Sequence, residues 1–364
     1  MEKRIASLMV SAEALRERSN YPASLKLFRL ALALCRRREH LQGVLDSLIA
    51  IGDICRMTGA FDAAISTYSE ALDMCRALDD ELAAADTLAG IGLSYRALGK
   101  WEQAIRFTEE ARAIYHEAKD LKGIAFSIWA EAGALRFGGK VPEAIRRFAE
   151  SKKMFEKARF TPGIAYSLCG LGGTNRLAGN FAASLSFYSE ANDLFRVLKD
   201  RFGQAYSYCG LGNAHRMACD FRASLKYFRK AEKLYAAFGD IVSFSYTLWS
   251  MASLFTMTGK LDDAKDCIAR AQKNFRKTKD PRGLIYCQLT LGQMDFLKGR
   301  KASSIRRFKA AFTEAEHFGF ALERCHAEAL LAIASGDGLG TAKKTCYRKI
   351  GVNLDCLSIP FNIP

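Results

Sequence analysis

The stretch YSYCGLGNAHRMACDF, residues 206–221, looks like a small active site at first sight, because it holds two cysteines, a histidine and an arginine within sixteen residues. The stretch YSLCGLGGTNRLAGNF, residues 166–181, lies forty residues earlier and is identical to it at nine of the sixteen positions. A match at a fixed offset indicates a structural repeat. We therefore expect the shared residues to serve the architecture of a repeat and not a catalytic centre.

A register of forty residues runs through most of the chain. One position of this register is marked by Tyr21, Phe61, Trp101, Val141, Phe181, Phe221, Leu261 and Lys301. Within each unit, apolar residues return every three or four positions, which is the period of an α-helix. Each unit therefore predicts two helices, which in the fifth unit are helix A at about 165–178 and helix B at about 181–197. Small residues recur where the two helices would cross closely, three and ten positions after the marker.

The connections between units carry capping signals. An aspartate follows helix B in five units, at Asp80, Asp120, Asp200, Asp240 and Asp280, and Gly123, Gly203 and Gly283 come three residues after three of them. Aspartate before a helix and glycine near a helix end are typical of helix caps. Because one helix pair cannot bury its own apolar face, stacked pairs are expected to share a continuous core.

The repeat resembles a known family. LAGIGLSYRALGKWEQAI (88–105) and YCGLGNAHRMACDFRASL (208–225) are similar to tetratricopeptide repeats in a lengthened, forty-residue form with a D-x-x-G-x-A connector. The resemblance covers about residues 4–334, as eight repeats and one extra helix, ALERCHAEALLAIA. It implies an all-α, right-handed α-solenoid over residues 1–334. Residues 335–364 are expected to form a C-terminal cap and an irregular tail, in which TAKKTCYRKI supplies a last capping helix.

Composition bounds the class of protein. No run of roughly 18 uncharged apolar residues is present to span a membrane, and the N-terminal stretch lacks the apolar core of a signal peptide. The eleven cysteines contain no CxxC pair, so we expect reduced core thiols in a cytoplasmic protein. The net charge is +15, and residues 41–80 carry −5 of it, which leaves +20 on the rest. Such an excess favours anionic partners.

Signatures of enzymes and metal sites are absent from the sequence. No GxxxxGK[ST], HExxH or GxSxG motif occurs, and GLGG at 170–173 lies inside a predicted helix, where it cannot form a phosphate loop. The five histidines are dispersed. We therefore expect no catalytic residue, no metal and no cofactor.

The resemblance implies that helix A lines a concave surface, and two ladders of side chains lie on the predicted face. The first is formed by Arg16, Arg56, Arg96, Arg136, Arg176 and Arg216. The second is aromatic: Phe126, Tyr166, Tyr206, Tyr246 and Tyr286, with Trp129 and Trp249 beside it. The arginines either bind an anionic ligand, or they are solvated helix-end caps or braces to a neighbouring acid, such as the connector aspartates. The aromatic residues either contact a ligand or pack on the preceding helix B.

Polar residues replace apolar ones in the middle repeats. His215 and Asn175 stand where the repeat usually has an aromatic residue, and Glu131 stands where Ile91 and Leu171 do. Buried polar groups need partners. They form hydrogen bonds between neighbouring repeats, or they belong to a ligand pocket in repeats 4–6. Gly170, Gly173 and Gly210 favour a pocket, because absent side chains leave room.

Three hypotheses of function remain open at this point. The favoured one is a non-enzymatic adaptor or scaffold that binds an acidic or amphipathic peptide in the groove. The resemblance implies one contact for Asn213, which matches the asparagine of the carboxylate clamp in chaperone adaptors, although the clamp lysines are absent at Met9, Ile49 and Cys209. The alternative is a sensor or carrier of a small ligand or signal peptide, with its pocket in repeats 4–6. A nucleic-acid-binding array is the weakest hypothesis, and the sequence leaves a homo-oligomer open.

Overall fold

Seventeen consecutive α-helices make up most of the chain. The computed structural model describes residues 2–18, 20–336, 346–353 and 362–363, and these ranges contain no β-strand. The helices are α1 Glu2–Glu17, α2 Tyr21–Arg37, α3 Leu41–Met57, α4 Phe61–Ala77, α5 Glu81–Ala97, α6 Trp101–Glu117, α7 Leu121–Phe137, α8 Val141–Lys157, α9 Thr161–Ala178, α10 Phe181–Val197, α11 Arg201–Met217, α12 Phe221–Phe238, α13 Ile241–Met257, α14 Leu261–Lys277, α15 Pro281–Leu297, α16 Lys301–His317 and α17 Ala321–Ser335. No helix of the described ranges is long and apolar enough to cross a membrane.

The helices pair into eight antiparallel hairpins, followed by α17. Odd-numbered helices are the A helices and even-numbered helices are the B helices of the predicted repeats. Each helix packs against its neighbours in the chain, and from α3 onward each A helix also packs against the next A helix. This arrangement confirms the predicted all-α solenoid of eight repeats and an extra helix. The A helices therefore form its inner wall.

The connections are built as the sequence predicts. The side chains of Asp80, Asp120, Asp200, Asp240 and Asp280 each accept a hydrogen bond from a backbone N–H in the first turn of the following helix. Such a cap satisfies one of the amide groups that a helix start leaves unpaired. Two caps were not foreseen: His40 caps α3 and Asp220 caps α12.

Small residues hold the helices close together. The residues three positions after each marker are at most 1% exposed, at Ser24, Ala64, Ala104, Ala144, Ser184, Ser224, Ala264 and Ser304. The glycines at the starts of A helices serve the same purpose. A β-carbon on Gly203 would lie 2.2 Å from the ring of Phe195, and one on Gly283 would lie 2.4 Å from the ring of Phe275. Glycine therefore lets the aromatic residue of the preceding helix B fill the space.

The solenoid closes on itself after about one superhelical turn. The turn between α5 and α6, at Gly99, touches the ring of Phe320, which precedes α17 and is 1% exposed. One repeat earlier, the turn at Gly59 touches Thr278, and Lys279 Nζ lies 3.4 Å from Asp62 Oδ2. The concave surface is thereby enclosed, since repeats 2–4 meet repeats 7 and 8 across the superhelix axis.

The described part of the tail packs onto this closure. Residues 346–349 are helical, which agrees with a short last helix, while residues 341–345 of the predicted TAKKTCYRKI helix lie outside the described residues. Tyr347 and Val352 are buried in an apolar cluster with Val141, Leu177 and Leu322. Most of the predicted irregular stretch GVNLDCLSIPFNIP also lies outside the described residues, but Asn362 and Ile363 are buried and therefore belong to the core.

One disulfide corrects the expectation that all cysteines are reduced. Cys325 of α17 is bonded to Cys346 of the tail. Six other cysteines of the described ranges are buried and free, at Cys35, Cys55, Cys75, Cys169, Cys267 and Cys287. The sequence did not reveal this pair because the two residues are 21 positions apart and form no motif. The bond ties residues 346–353 to the last helix of the solenoid.

Candidate functional site

A cavity of about 220 Å³ lies on the concave side of the solenoid. Its walls come from A helices of repeats 4–8, and from Tyr188 and Tyr235 of helix B in repeats 5 and 6. Arg136 of repeat 4 and Arg176 of repeat 5 line it together with Arg282 and Tyr286 of repeat 8. The pocket of the alternative hypothesis was expected in repeats 4–6, but it extends into repeats 7 and 8 because the solenoid closes. Contacts across a closure cannot be read from a repeat register.

The arginine ladder divides into residues with and without an acidic partner. Arg16 lies 2.6 Å from Glu13, and Arg56 lies 3.4 Å from Asp53. Arg16 also lies 3.8 Å from Asp53. These two rungs are therefore braced by acids of α1 and α3. This agrees with the alternative of a brace to a neighbouring acid, although the partners are not the connector aspartates given as its example.

Arg96, Arg136 and Arg176 form no ion pair with any described residue. The guanidinium of Arg96 lies over Trp129, 5.3 Å from the ring centroid, and that of Arg136 lies 5.9 Å from the Phe148 ring centroid. Nε and Nη1 of Arg176 are buried without a hydrogen-bond partner. Burial, together with the charge of Arg136, lowers the pKa of Arg96 to about 10 and lowers that of Arg176 as well. These rungs would be stabilised by an anion.

Arg216 departs from the expectation that the whole ladder faces an open groove. It is 1% exposed, and its guanidinium donates to the side chain of Asn362 and to the backbone oxygen of Ile363. Burial and the charge of Arg176 lower its pKa to about 9. The sixth rung is therefore covered by residues from the end of the sequence.

The aromatic residues take part in both packing and the cavity wall. Tyr206, Tyr246 and Trp249 line the cavity. Tyr166 and Trp129 do not line the cavity. The Tyr166 hydroxyl donates to Asp200 at 3.0 Å, and Trp129 Nε1 donates to the backbone oxygen of Tyr166 at 3.2 Å.

Several of these rings also pack within their own repeat. Tyr166 packs edge-on against Phe195, and Tyr246 packs in the same way against Phe275. The helix B that each tyrosine contacts is that of its own repeat, whereas the sequence suggested the preceding one. The closure adds Tyr286, whose ring centroid lies 4.2 Å from that of Trp249.

Asn213 connects the cavity with the covered rung. It lines the cavity, and its Nδ2 donates to Ser250 Oγ at 3.1 Å. Its Oδ1 accepts a hydrogen bond of 3.4 Å from Arg216. Both ends of the amide are thus held by side chains of the A helices.

The buried pair of Arg282 and Glu323 is a feature that the sequence analysis missed. Arg282 Nε lies 2.6 Å from Glu323 Oε1, and the two side chains are 13% and 1% exposed. The guanidinium also lies 4.3 Å from the centroid of the Phe137 ring, across the closure. The one hint in the sequence was Arg282 itself, which lies one helical turn before Tyr286 of the aromatic ladder in α15. Its partner and its position opposite repeat 4 depend on tertiary structure.

The space above the predicted glycines is filled by protein atoms. A β-carbon on Gly170 would lie 2.4 Å from the Phe148 ring, and one on Gly210 would lie 2.1 Å from the Tyr188 ring. A β-carbon on Gly173 would lie 2.9 Å from both Arg136 Nη1 and the Tyr188 hydroxyl. Gly173 and Gly210 line the cavity. Their role in the site is to let Arg136 and Tyr188 approach the wall.

The three unusual polar residues lie outside the cavity. The Asn175 Oδ1 atom accepts from Asn180 at 3.1 Å, and the His215 ring lies 3.4 Å from Asp220 and stacks on Tyr227. These contacts are within single repeats, whereas we expected hydrogen bonds between repeats or a pocket. Glu131 does link repeats, because it pairs with Arg112 of repeat 3 and Arg147 of repeat 4. Within the described ranges, no group of three or more histidine, cysteine or acidic residues is placed to hold a metal ion.

Comparison with solved structures finds proteins of the same fold. A Rap protein complexed with competence and sporulation factor is 12% identical, with a TM-score of 0.63 over 87% of this chain and 99% of that one. The Rap conjugation gene regulator of plasmid pLS20, in complex with the Phr* peptide, is 15% identical, with a TM-score of 0.66 over 78% and 76% of the two chains. Aspartyl phosphate phosphatase F from Bacillus subtilis is 11% identical, with a TM-score of 0.53 over 95% and 92%.

At these identities the likeness establishes the shared fold. A comparison with curated proteins gives no match. The family model of the tetratricopeptide repeat matches residues 4–77, 51–117 and 163–237, which together make up more than half of the chain. The matched segments fall within α1–α6 and α9–α12 of the solenoid described above, so the chain belongs to the tetratricopeptide repeat family.

Proposed function

We propose that this chain is a non-enzymatic adaptor of the cytoplasm that binds a short acidic peptide segment in its enclosed concave channel. The observation that supports this most is the pair of guanidiniums in the cavity, Arg136 and Arg176, which have no acidic partner among the described residues. Two Arg176 nitrogens are buried without any hydrogen bond. A peptide carboxylate that accepts from both arginines supplies the missing partner.

Burial of an unpaired charge in the cavity costs free energy. A guanidinium removed from water without a partner loses several kcal/mol of solvation, of which a well-placed carboxylate restores a large part. Arginine matches a carboxylate through two parallel hydrogen bonds. The lowered pKa of Arg176, caused first by burial, indicates that the site favours neutralisation of its charge. A ligand carboxylate that pairs with Arg136 and Arg176 would therefore lower the electrostatic free energy of the complex relative to the free protein.

The cavity walls suit the rest of a peptide. Tyr206, Tyr246 and Trp249 offer apolar ring surface, and the side-chain oxygen of Asn213 has a second lone pair that can accept from a peptide N–H. A volume of about 220 Å³ admits a short segment and not a folded domain. A structural neighbour, the pLS20 regulator, was solved in complex with a peptide. This neighbour favours a peptide over other anions as the proposed ligand of this chain.

A small anionic ligand is the second candidate. The closure of the solenoid favours it, since Arg282 and Tyr286 border the cavity from repeat 8 and restrict the length of a segment that passes through. In that case the protein acts as a sensor or carrier. The two candidates share the Arg136–Arg176 site and differ in the part of the ligand that lies beyond its anionic group.

The test is selection of peptides from a random display library on the immobilised full chain, followed by calorimetry on the selected peptides. We expect enrichment of acidic residues. The variant Arg136→Gln with Arg176→Gln should weaken binding by about 2–4 kcal/mol, roughly thirtyfold or more, because two charge-assisted contacts are lost. Binding to the unmutated chain should also weaken as salt rises.

The matched control is Arg76→Gln with Arg196→Gln, which removes the same charge from two exposed arginines of α4 and α10. This control should bind as the unmutated chain does. Equal weakening in both double variants would reduce the effect to net charge and contradict the assigned site. Selection of no peptide, with binding of citrate or a nucleotide at the same two arginines, would replace the peptide by the small-ligand candidate.

A further inference from the structure

Two residues near the end of the sequence, Asn362 and Ile363, cover Arg216 of the arginine ladder. Asn362 and Ile363 are 1% and 7% exposed, and both contact this arginine. Asn362 Oδ1 accepts from Arg216 Nη1, while Asn362 Nδ2 donates to the backbone oxygen of Arg216 at 2.9 Å. The backbone oxygen of Ile363 accepts from Arg216 Nη2 at 3.1 Å. Three hydrogen bonds thus join two tail residues to one rung.

These contacts have the form of peptide recognition. The asparagine amide satisfies a donor and an acceptor of the same residue at once, which neither a carboxylate nor an ammonium group can do. The backbone oxygen of Arg216 lies in the last turn of α11 and accepts from the Cys219 amide at 3.0 Å, so Asn362 Nδ2 uses the second lone pair of this oxygen. The binding surface is therefore the guanidinium together with the end of helix A.

The residue after the asparagine is held by an apolar surface. Ile363 belongs to the buried cluster that contains Trp249, Tyr286 and Met294. Trp249 and Tyr286 also line the cavity beside Arg176. Asn213 touches both sites, since it lines the cavity and accepts from Arg216. The tail residues thus adjoin the proposed peptide site.

We propose that the Arg216 rung is a peptide subsite for an asparagine followed by an apolar residue, and that Asn362–Ile363 fill it as a tethered ligand of the same chain. The occupant comes from the same chain, so its effective concentration is on the order of millimolar, and free peptide of equal sequence competes with it only at a comparable concentration. Competition between the tail and an external partner rests on the proposed function. Occupancy of the subsite by the tail does not.

The test uses full-length protein and the labelled octapeptide LSIPFNIP, which is the sequence of residues 357–364. Fluorescence polarisation measures its binding to the unmutated chain and to Asn362→Ala, in which the tail loses both side-chain hydrogen bonds. We expect at least tenfold tighter binding to Asn362→Ala. The additional change Arg216→Met should abolish it, and the octapeptide with alanine in place of its asparagine should not bind.

Two further variants separate this proposal from neighbouring explanations. Asn274→Ala in α14 controls for loss of an asparagine elsewhere, and it should bind the octapeptide as weakly as the unmutated chain. Asn362→Ala combined with Arg136→Gln and Arg176→Gln should still bind the octapeptide, although it loses the acidic peptide. Failure of the proposed function would therefore leave this result intact.

The proposal is overturned if Asn362→Ala binds the octapeptide no better than the unmutated chain does, or if Arg216→Met leaves that binding unchanged. Hydrogen exchange on the unmutated chain gives an independent result. Millimolar unlabelled octapeptide should speed exchange at Asn362 and Ile363, because these buried residues are displaced. Unchanged exchange at that concentration would also overturn the proposal.

Discussion

At the residue scale, the same amino acid at the same repeat position has three different fates. Arg56 is braced by Asp53, Arg176 is left without an acid among the described residues, and Arg216 is covered by the tail. The difference arises from the neighbours that each repeat supplies and not from the arginine itself. A ladder in a repeat sequence therefore predicts a common direction of side chains, while partners have to be established rung by rung.

His326 offers a prediction at this scale. Its Nδ1 lies 2.6 Å from the Tyr347 hydroxyl, its Nε2 is buried without a partner, and burial lowers its pKa to about 4. The unfolded chain, with a histidine pKa of about 6.5, binds more protons between these values, so stability must fall as pH drops from 7 to 4. The contribution is on the order of 2–3 kcal/mol.

Denaturant unfolding at pH 7 and pH 4 measures this contribution. The variant His326→Gln should lose less stability over the interval than the unmutated chain does, by roughly that amount. Glu323, whose pKa is lowered against the effect of burial by Arg282, adds a further loss mainly below pH 4.5 in both proteins. Identical losses in the two proteins would show that His326 is protonated or exposed in the folded state.

At the element scale, the helices and their caps were predictable because they depend on nearby residues. The forty-residue register placed α9 and α10 within a few residues of their observed bounds, and the connector aspartates cap the helices that follow them. The glycines of the middle repeats were expected to leave room for a ligand, but protein side chains fill that room. The filling side chain, such as Tyr188 against Gly210, depends on how repeats stack, which a single sequence does not encode locally.

The connector aspartate Asp200 both caps a helix and accepts a hydrogen bond from a tyrosine, and its replacement tests the two roles together. One oxygen accepts from the Gly203 amide at the start of α11, and the other accepts from the Tyr166 hydroxyl of the preceding A helix. Asp200→Ala should lower the free energy of unfolding by about 1–3 kcal/mol, since a cap and a partly buried hydrogen bond are lost together. Thermal or urea unfolding measures the change.

The control for this prediction is Asp193→Ala in α10, whose carboxylate is exposed and pairs only with Arg196 among the described residues. It should change stability by less than about 0.5 kcal/mol. A loss as large as that of Asp200→Ala would mean that removal of acidic charge, and not the cap, accounts for both results.

At the scale of the whole molecule, closure turns a groove into an enclosed channel. Phe320 seats on the turn at Gly99, and Arg282 reaches the Phe137 ring across the axis. Neither contact can be deduced from the repeat pattern, because both join residues that lie several repeats apart. The sequence therefore predicted the solenoid and the helix face that carries the arginine ladder, while the far wall of the cavity, the buried Arg282–Glu323 pair and the tail residues on Arg216 were visible only in the structure.

The central claim is that Arg136 and Arg176 hold the acidic group of a ligand inside this channel. The most direct measurement is a crystal structure of the full chain with a selected peptide. We expect a carboxylate oxygen within about 3 Å of a nitrogen of each guanidinium, with the peptide chain between Tyr206 and Trp249. A peptide bound on the outer surface of the B helices, with the two guanidiniums unchanged and the cavity empty, would contradict the account.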